Sequence, residues 1–141
     1  NDIGWVHPIA HLSDLLWRFA LHPETTPAQA LSILDPVRSK IAPTQTAYAF
    51  NESDRLARVV STLIRRQRLQ VADAATWLES FAVPANMEKW SDAFRSPGGM
   101  AELHNTKQFL RALSDQLAKD DIADAIGEPL EALVQAFTNL I

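Results

Sequence analysis

The residues best suited to chemistry lie together near the start of the chain, in the segment GWVHPIAHLSDLL (residues 4–16). His7 and His11 are four residues apart, and Asp14 follows three residues after His11. On an α-helix, which turns about 100° per residue, these three side chains share one face. Arg18 falls on the same face, at i,i+4 from Asp14. The sequence therefore predicts a polar helix face that carries two imidazoles, a carboxylate and a guanidinium.

Three interpretations of this face compete. Two histidines at i,i+4 together with a carboxylate form a ligand set for zinc or ferrous iron, although Pro8 stands where the metalloprotease pattern needs glutamate. A second interpretation is a polar pocket that binds a small molecule or a partner. The third, which we favour, is structural: the imidazoles hydrogen-bond to neighbouring backbone, and Asp14 pairs with Arg18. Whether a metal binds is left undecided by the sequence.

The apolar residues of the same segment predict where the helix packs. They form a stripe centred about 130° from the polar face, and they are Ile9, Leu12, Leu15, Leu16 and Phe19. Pro8 is best tolerated in the first turn of a helix, so we expect this helix to begin at residues 5–7 and to end near Leu21.

Composition limits the class of protein. The 141 residues suffice for one domain, and the absence of cysteine excludes disulfides and thiolate ligands. The net charge of −4 argues against a nucleic-acid partner. No run of about 18 apolar residues is present, so we predict no membrane span. No signal peptide is visible, and we expect a soluble protein, either cytoplasmic or exported after removal of a leader.

The pattern along the chain is helical throughout. Only four glycines occur, and no alternating run of β-branched residues indicates a strand. We predict an all-α fold of six to seven helices in antiparallel pairs, forming one domain over residues 1–141. Pro36 is expected to kink or split the second helix, and Gly127 to separate the last two. An α-α superhelix of the HEAT type is the favoured architecture, and a compact orthogonal bundle is the alternative.

Three segments resemble one known family. Residues 4–14 resemble the G-W-x-H-x-x-A-H-x-x-D helix of an uncharacterised bacterial family, a domain of unknown function. Residues 54–57 resemble its D-x-R-L-A element, although the acid and the arginine are adjacent here, and residues 105–111 resemble its N-x-K-x-F-L-R helix. The resemblance implies the C-terminal part of a longer helical protein, and it implies no reaction.

The three segments suggest one physical idea. If their helices are neighbours, their polar flanks would meet in a hydrogen-bonded network that either fixes the helix register or lines a binding groove. The candidate residues of this network are His7, His11, Asp14, Asp54, Arg55, Asn105, Lys107 and Arg111.

Two functions follow from these observations. The favoured hypothesis is a non-catalytic, helical-repeat-like binding or scaffolding module, without a cofactor, whose partner is a protein or a small ligand. Five arginines of the third helix, at positions 55, 58, 65, 66 and 68, either bind an acidic partner or a phosphate or, as we favour, form a solvated face. The alternative is a metal- or histidine-dependent hydrolase centred on His7, His11 and Asp14. Against it, the sequence has no nucleophile elbow, no glycine-rich phosphate loop and no H-E-x-x-H pattern.

Overall fold

The computed structural model describes residues 2–42, 47–48, 51–118 and 123–139, and for residues 2–10 and 123–128 it describes the backbone alone. The α-helices in these ranges are α1 (Asp2–Leu21), α2 (Pro27–Ile41), α3 (Glu52–Arg65), α4 (Val71–Glu79), α5 (Pro97–Leu117) and α6 (Ala123–Asn139). Two 3-10 segments, Ser80–Ala82 and Trp90–Arg95, lie between α4 and α5. The described ranges contain no strand, and the prediction of an all-α fold is confirmed.

Helix α3 is at the centre of the packing. It lies between α1 and α5, and α2 also packs against it. Helix α5 contacts α6, which in turn contacts α4. Ten of the 14 residues of α3 are buried, which is what a helix covered on several sides requires. The core around it includes Leu34, Leu56, Leu63, Phe81, Phe109 and Leu113. None of the described helices is long and apolar enough to cross a membrane.

Local sequence signals set the starts of α2 and α5. At α2, the Thr26 hydroxyl accepts a hydrogen bond from the Gln29 amide (3.2 Å), and the Gln29 side chain accepts one from the Thr26 amide (3.0 Å). This reciprocal capping box satisfies two amides that a helix start leaves without partners. At α5, Ser96 caps the amide of Gly99 at 2.9 Å.

Glycine is needed at position 99 because the first turn of α5 packs on backbone. A Cβ at Gly99 would lie 2.7 Å from the Ala93 carbonyl oxygen and 2.8 Å from the Ala93 Cα. The segment SPGG (residues 96–99), which reads as a break in the sequence, therefore starts the longest helix and seats it against the second 3-10 segment.

Three helix boundaries differ from the predictions. Helix α1 begins at Asp2, so Pro8 lies inside it. Helix α2 continues through Pro36, and α6 continues through Gly127. Pro36 is exposed, whereas Leu34 and Val37 beside it are buried. Burial of the neighbouring residues therefore offsets the lost hydrogen bond, so α2 is not split at Pro36, and the alternative of a kink stays a prediction.

The packing face of α1 also differs from the predicted stripe. Ser13, Leu16 and Ala20 are buried, but Leu15 and Phe19 are 52% and 54% exposed. The small residues Ser13 and Ala20 are fully buried while Leu15 and Phe19 are not, so the helix is rotated relative to the orientation that its large apolar side chains indicate. Two large hydrophobic residues thus remain on the outer face.

Candidate functional site

Asp14 connects α1 to α3. Its Oδ1 lies 3.4 Å from Nη2 of Arg58 and 3.6 Å from Nη1 of Arg55. The side chains are 41–49% exposed, so water screens the attraction and each pair contributes at most about 1 kcal/mol. Arg18, the partner predicted from the i,i+4 spacing, is exposed and forms no ion pair with a described residue. The carboxylate is instead shared by two cations of the neighbouring helix.

Trp17 completes this contact on the next turn of α1. The Arg58 guanidinium carbon lies 4.2 Å from the centroid of the Trp17 ring, a cation–π distance. The indole nitrogen donates a hydrogen bond of 3.2 Å to the Thr62 hydroxyl. Arg58 is therefore held by both Asp14 and the indole ring, which fixes how far α1 can slide along α3.

The two histidines of α1 differ in what the structure describes. His11 is an exposed residue, on the same turn as the half-exposed Asp14. His7 belongs to the part of α1 for which only the backbone is described. Among the side chains that are described, no group of three or more His, Asp or Glu residues is arranged to hold a metal ion. The predicted metal ligand set includes His7 and stays a prediction.

The third motif holds the chain segment before α3. The Asn105 side chain is fully buried, and its Oδ1 accepts a hydrogen bond of 2.7 Å from the Tyr48 amide. Nε2 of His104 lies 3.1 Å from the Tyr48 carbonyl oxygen. Because a carbonyl oxygen only accepts, Nε2 must carry the proton, and a neutral His104 then has its lone pair on Nδ1. Neighbouring residues of α5 thus bind both backbone polar groups of Tyr48.

Tyr48 is fixed at its other end as well. Its hydroxyl donates a hydrogen bond to the carbonyl of Lys40 in the last turn of α2. Burial, together with a smaller contribution from the negative charge of Glu52, raises the pKa of Tyr48 to about 12. The ring therefore stays neutral and joins the end of α2 to the start of α3.

The remaining predicted residues lie in different surroundings. Asp54 is exposed at the start of α3, and its backbone carbonyl accepts a hydrogen bond of 3.2 Å from the Gln116 side chain. Lys107 is buried, and both this burial and the positive charge of Arg111 lower its pKa. Arg111 is exposed beside Glu131 at a cleft of about 460 Å³ that residues of α5 and α6 line.

The described contacts place the predicted residues in three groups. The first group is Asp14 with Arg55, the second is Asn105 with the Tyr48 backbone, and the third is Lys107 with Arg111. The helices that carry them, α1, α3 and α5, are neighbours as the network idea requires. Whether these residues also line a binding groove stays a prediction.

Sequence reasoning missed a buried acid, Glu102. This residue of α5 is 1% exposed, and its carboxylate accepts hydrogen bonds from the Ala85 amide (2.6 Å), the Asn86 amide (3.2 Å) and the Asn86 side chain (2.8 Å). Its charge also acts on Arg38 of α2. The sequence offered one signal, since Glu102 stands between two apolar residues, Ala101 and Leu103. The structure shows that both of these residues are buried.

Arg38 holds the other side of the same loop. Its guanidinium donates hydrogen bonds to the Ser80 hydroxyl (3.0 Å) and to the Val83 carbonyl (2.9 Å). Its central carbon lies 3.9 Å from the centroid of the Phe81 ring. Burial lowers the pKa of this arginine, while Glu102 raises it. The segment after α4 is therefore held by charged side chains from both α2 and α5.

Besides the cleft between α5 and α6, two further surface features of the described residues can receive a ligand or partner. The first is a cavity of about 370 Å³ at the start of α3, lined by residues 51–54, Tyr48, His104 and Gln108. The second is a cleft of about 380 Å³ where α1 turns into α2, lined by Leu15, Phe19 and the polar residues Arg18, His22, Glu24, Thr25 and Gln29. Neither feature includes Asp14, the carboxylate of the first motif.

Comparison with known proteins identifies a family. A family model described as "Protein of unknown function (DUF2785)" matches residues 1–114, a range that contains all three motifs. No curated protein and no solved structure matches the chain. The resemblance to an uncharacterised family is thereby confirmed, and the chain belongs to the DUF2785 family of proteins of unknown function.

Proposed function

We propose that this protein is a non-catalytic binding module of stacked helices, and that the outer face of α1 binds a helix of a partner protein. The observation that carries this proposal is the exposure of Leu15 and Phe19, at 52% and 54%, on adjacent turns. A single exposed apolar residue is ordinary, but two large ones beside a cleft form the anchor of an interaction surface.

The order in which the helices pack supports a helical-repeat architecture. Helices α1, α3 and α5 lie side by side, and α4 lies beside α6. In helical-repeat proteins, equivalent helices of successive hairpins stack in this way and offer a continuous surface to a partner. The stacking of α1, α3 and α5 supports an α-α superhelix, whereas the packing of α2 against α3 and α5 rather than against α4 is what an orthogonal bundle would show.

The chemistry of the surface favours an amphipathic helix as its occupant. Leu15 and Phe19 have the i,i+4 spacing of a helix-in-groove contact, and polar residues surround them, as at the rim of an interface. Arg18 lies between them and has no ion pair with a described residue. An acidic residue on the partner helix would supply that pair and orient the helix in the cleft.

The contacts of the Asp14 carboxylate favour a binding module over a hydrolase. A hydrolase centred on His7, His11 and Asp14 needs this carboxylate to orient an imidazole or to bind a metal. Asp14 instead faces Arg55 and Arg58, which joins α1 to α3. His22 and His104 bind backbone: Nδ1 of His22 accepts from the Glu24 amide, and Nε2 of His104 binds the Tyr48 carbonyl.

Photocrosslinking tests the proposal. Phe19 is replaced by p-benzoylphenylalanine in the full-length protein, which is irradiated in the cells that naturally produce it. We expect one adduct of discrete mass, and mass spectrometry should place the crosslink on a helical segment with acidic residues. Leu15→Glu or Arg18→Glu in the same chain should reduce the adduct at least fivefold.

The matched control is the same photoreactive residue at Val83, which is 57% exposed and lies away from α1. Equal labelling from positions 19 and 83, or no adduct from position 19 in a protein with an unchanged circular dichroism spectrum, would contradict the proposal.

A further inference from the structure

We propose that the side-chain amine of Lys107 is a covalent attachment site, independent of the surface on α1, which forms an imine with a small aldehyde that carries a carboxylate. Lys107 belongs to the third motif and lies in the middle of α5. The contacts that join α5 to Tyr48 make no use of its amine.

Lys107 is the most buried lysine among the described residues. It is 8% exposed, whereas Lys40 and Lys89 are both exposed. Its amine forms neither an ion pair nor a hydrogen bond with any residue that the structure describes. Within the described part of the chain, fully enclosed side-chain nitrogens without a partner occur only in Arg58 and Arg68. The amine of Lys107 therefore touches solvent at the end of a buried stem, where a small molecule can reach it.

The surroundings of Lys107 favour the neutral form of its amine. Burial lowers its pKa from the ordinary value of 10.5, and the positive charge of Arg111 acts in the same direction. No carboxylate of the described residues lies within ion-pair distance of the amine to oppose these effects. A neutral amine has a lone pair that can attack a carbonyl carbon, and lysines that form imines are activated in this way, by desolvation or by a neighbouring cation.

A cleft next to Lys107 can hold the rest of the aldehyde. Arg111 and Ser114 line the cleft of about 460 Å³ between α5 and α6. Lys107 is four residues before Arg111 and seven before Ser114, so it lies on the same face of α5, one turn from the cleft. The volume of the cleft is within the range of small-molecule sites, which begin at about 300 Å³.

The charges along this face favour an aldehyde with a carboxylate. Arg111 is exposed and forms no ion pair with a described residue, so its guanidinium can bind a carboxylate through two parallel hydrogen bonds. Asp115 and Glu131 also line the cleft and repel an anion. The carboxylate of the ligand must therefore lie on the Lys107 side of Arg111, which brings its carbonyl group towards the amine.

The reaction balances with these two partners alone. The amine nitrogen attacks the aldehyde carbon, and a carbon–nitrogen bond forms. The carbonyl oxygen then leaves as water together with both protons of the neutral amine, and the imine remains. Hydrolysis of the imine by the reverse steps releases the aldehyde, so the attachment is reversible.

Reductive trapping in the intact protein tests the proposal. Glyoxylate is an aldehyde that carries a carboxylate, and glycolaldehyde is a neutral aldehyde of similar size. Cyanoborohydride reduces the imines that each aldehyde forms at neutral pH, and peptide mass spectrometry measures the rate at each lysine. We expect glyoxylate to modify Lys107 at least about fivefold faster than Lys40 and Lys89. The preference should be smaller for glycolaldehyde, which Arg111 does not attract, and it should vanish in concentrated urea.

Variants locate the site. Arg111→Gln should slow the modification of Lys107 by glyoxylate at least about threefold, because it removes a charge that both lowers the pKa of the amine and binds the carboxylate. Arg66→Gln, at an exposed arginine just after α3, is the matched control and should leave the rate unchanged. Lys107 reacting no faster than Lys40 and Lys89 in the folded protein, a preference that persists in urea, or equal effects of the two arginine variants would overturn the proposal.

Discussion

The polar contacts of α1 and those of α5 both join helices, but they do so in different surroundings. Asp14 meets Arg55 and Arg58 at 3.4–3.6 Å, with side chains that are 41–49% exposed. Asn105 and Glu102 are at most 1% exposed, and their shortest hydrogen bonds measure 2.7 and 2.6 Å. Polar contacts of similar kinds should therefore contribute different amounts to the free energy of unfolding, and the degree of burial determines how much.

The physical reason is whether water can replace the partner of each polar group once that partner is removed. An exposed carboxylate without its arginines is hydrated by water at little cost. A buried amide or carboxylate whose partners are removed, or a buried backbone amide whose acceptor is removed, stays unsatisfied and costs about 1–3 kcal/mol. The contacts of α5 should therefore dominate stability, while those of α1 should mainly set register.

The largest effect is expected from Glu102→Gln. A glutamine has one acceptor oxygen where the carboxylate accepts three hydrogen bonds, and its NH2 group would face donors of Ala85 and Asn86. We expect the free energy of unfolding, measured in urea, to fall by about 3 kcal/mol. Glu131→Gln on the exposed side of α6 is the control and should change it by less than about 0.5 kcal/mol. Equal losses of unfolding free energy in the two variants would contradict the difference between buried and exposed contacts.

Asn105→Ala should have the next largest effect. The substitution leaves the Tyr48 amide without its buried acceptor. We expect a loss of about 2 kcal/mol in the same unfolding experiment. Gln108→Ala, three residues along α5 and exposed, serves as the control and should be close to neutral. An Asn105→Ala variant with an unchanged free energy of unfolding would show that burial does not determine how much these contacts contribute to stability.

Tyr48 predicts how stability responds to alkaline pH. Its pKa is about 12 in the folded protein, against an ordinary value of 10.0. Because the pKa is higher in the folded protein, the neutral Tyr48 side chain contributes to stability. This contribution is complete below about pH 10 and is lost as the pH rises through about 12. At about pH 11 the loss should reach roughly 1.4 kcal/mol.

The Tyr48→Phe variant isolates that response. Phenylalanine has no ionisable group, so the difference in unfolding free energy between the two proteins should shrink from about pH 10 upward. Other groups that titrate in this range, such as Lys107, cancel in the difference. A constant difference between about pH 9 and 11 would mean that Tyr48 is not protected by its burial.

The smallest effect is expected from Asp14→Asn. Its half-exposed ion pairs should contribute less than about 1 kcal/mol, and the loss should decrease further in about 0.5 M salt. Trp17→Phe removes the hydrogen bond to Thr62 and weakens the cation–π contact with Arg58 without removing a charge, so its effect should depend less on salt than that of Asp14→Asn. A large loss of unfolding free energy in Asp14→Asn that does not depend on salt would show that the contacts of α1 stabilise the fold as strongly as the buried contacts of α5.

The sequence predicted the helical fold because its apolar residues recur at helical spacing in nearly every segment. It placed a break at Gly127, which lies inside α6, and of the two outcomes expected at Pro36 the split is not observed, while the kink stays a prediction. It also misjudged the orientation of α1. A periodic pattern indicates which residues are apolar, but it does not show that Ser13 and Ala20 would be buried and Phe19 left outside.

The candidate site was harder to predict than the fold. The helical spacing of Asp14 and Arg18 indicated a pair within α1, but Arg55 and Arg58 come from a helix about 40 residues away in the chain. Contacts of that kind depend on how helices are arranged in space. Glu102 was missed for the same reason, because its partners lie in a loop whose position no local pattern gives.

The central claim is that Asp14 serves the architecture and the outer face of α1 serves binding. The most direct test is the yield of the residue-19 photocrosslink in the Asp14→Asn background, compared with the Leu15→Glu background. The account predicts an adduct within about twofold of the unchanged protein for Asp14→Asn and a loss of at least fivefold for Leu15→Glu. An Asp14→Asn protein that stays folded and forms no adduct would contradict it.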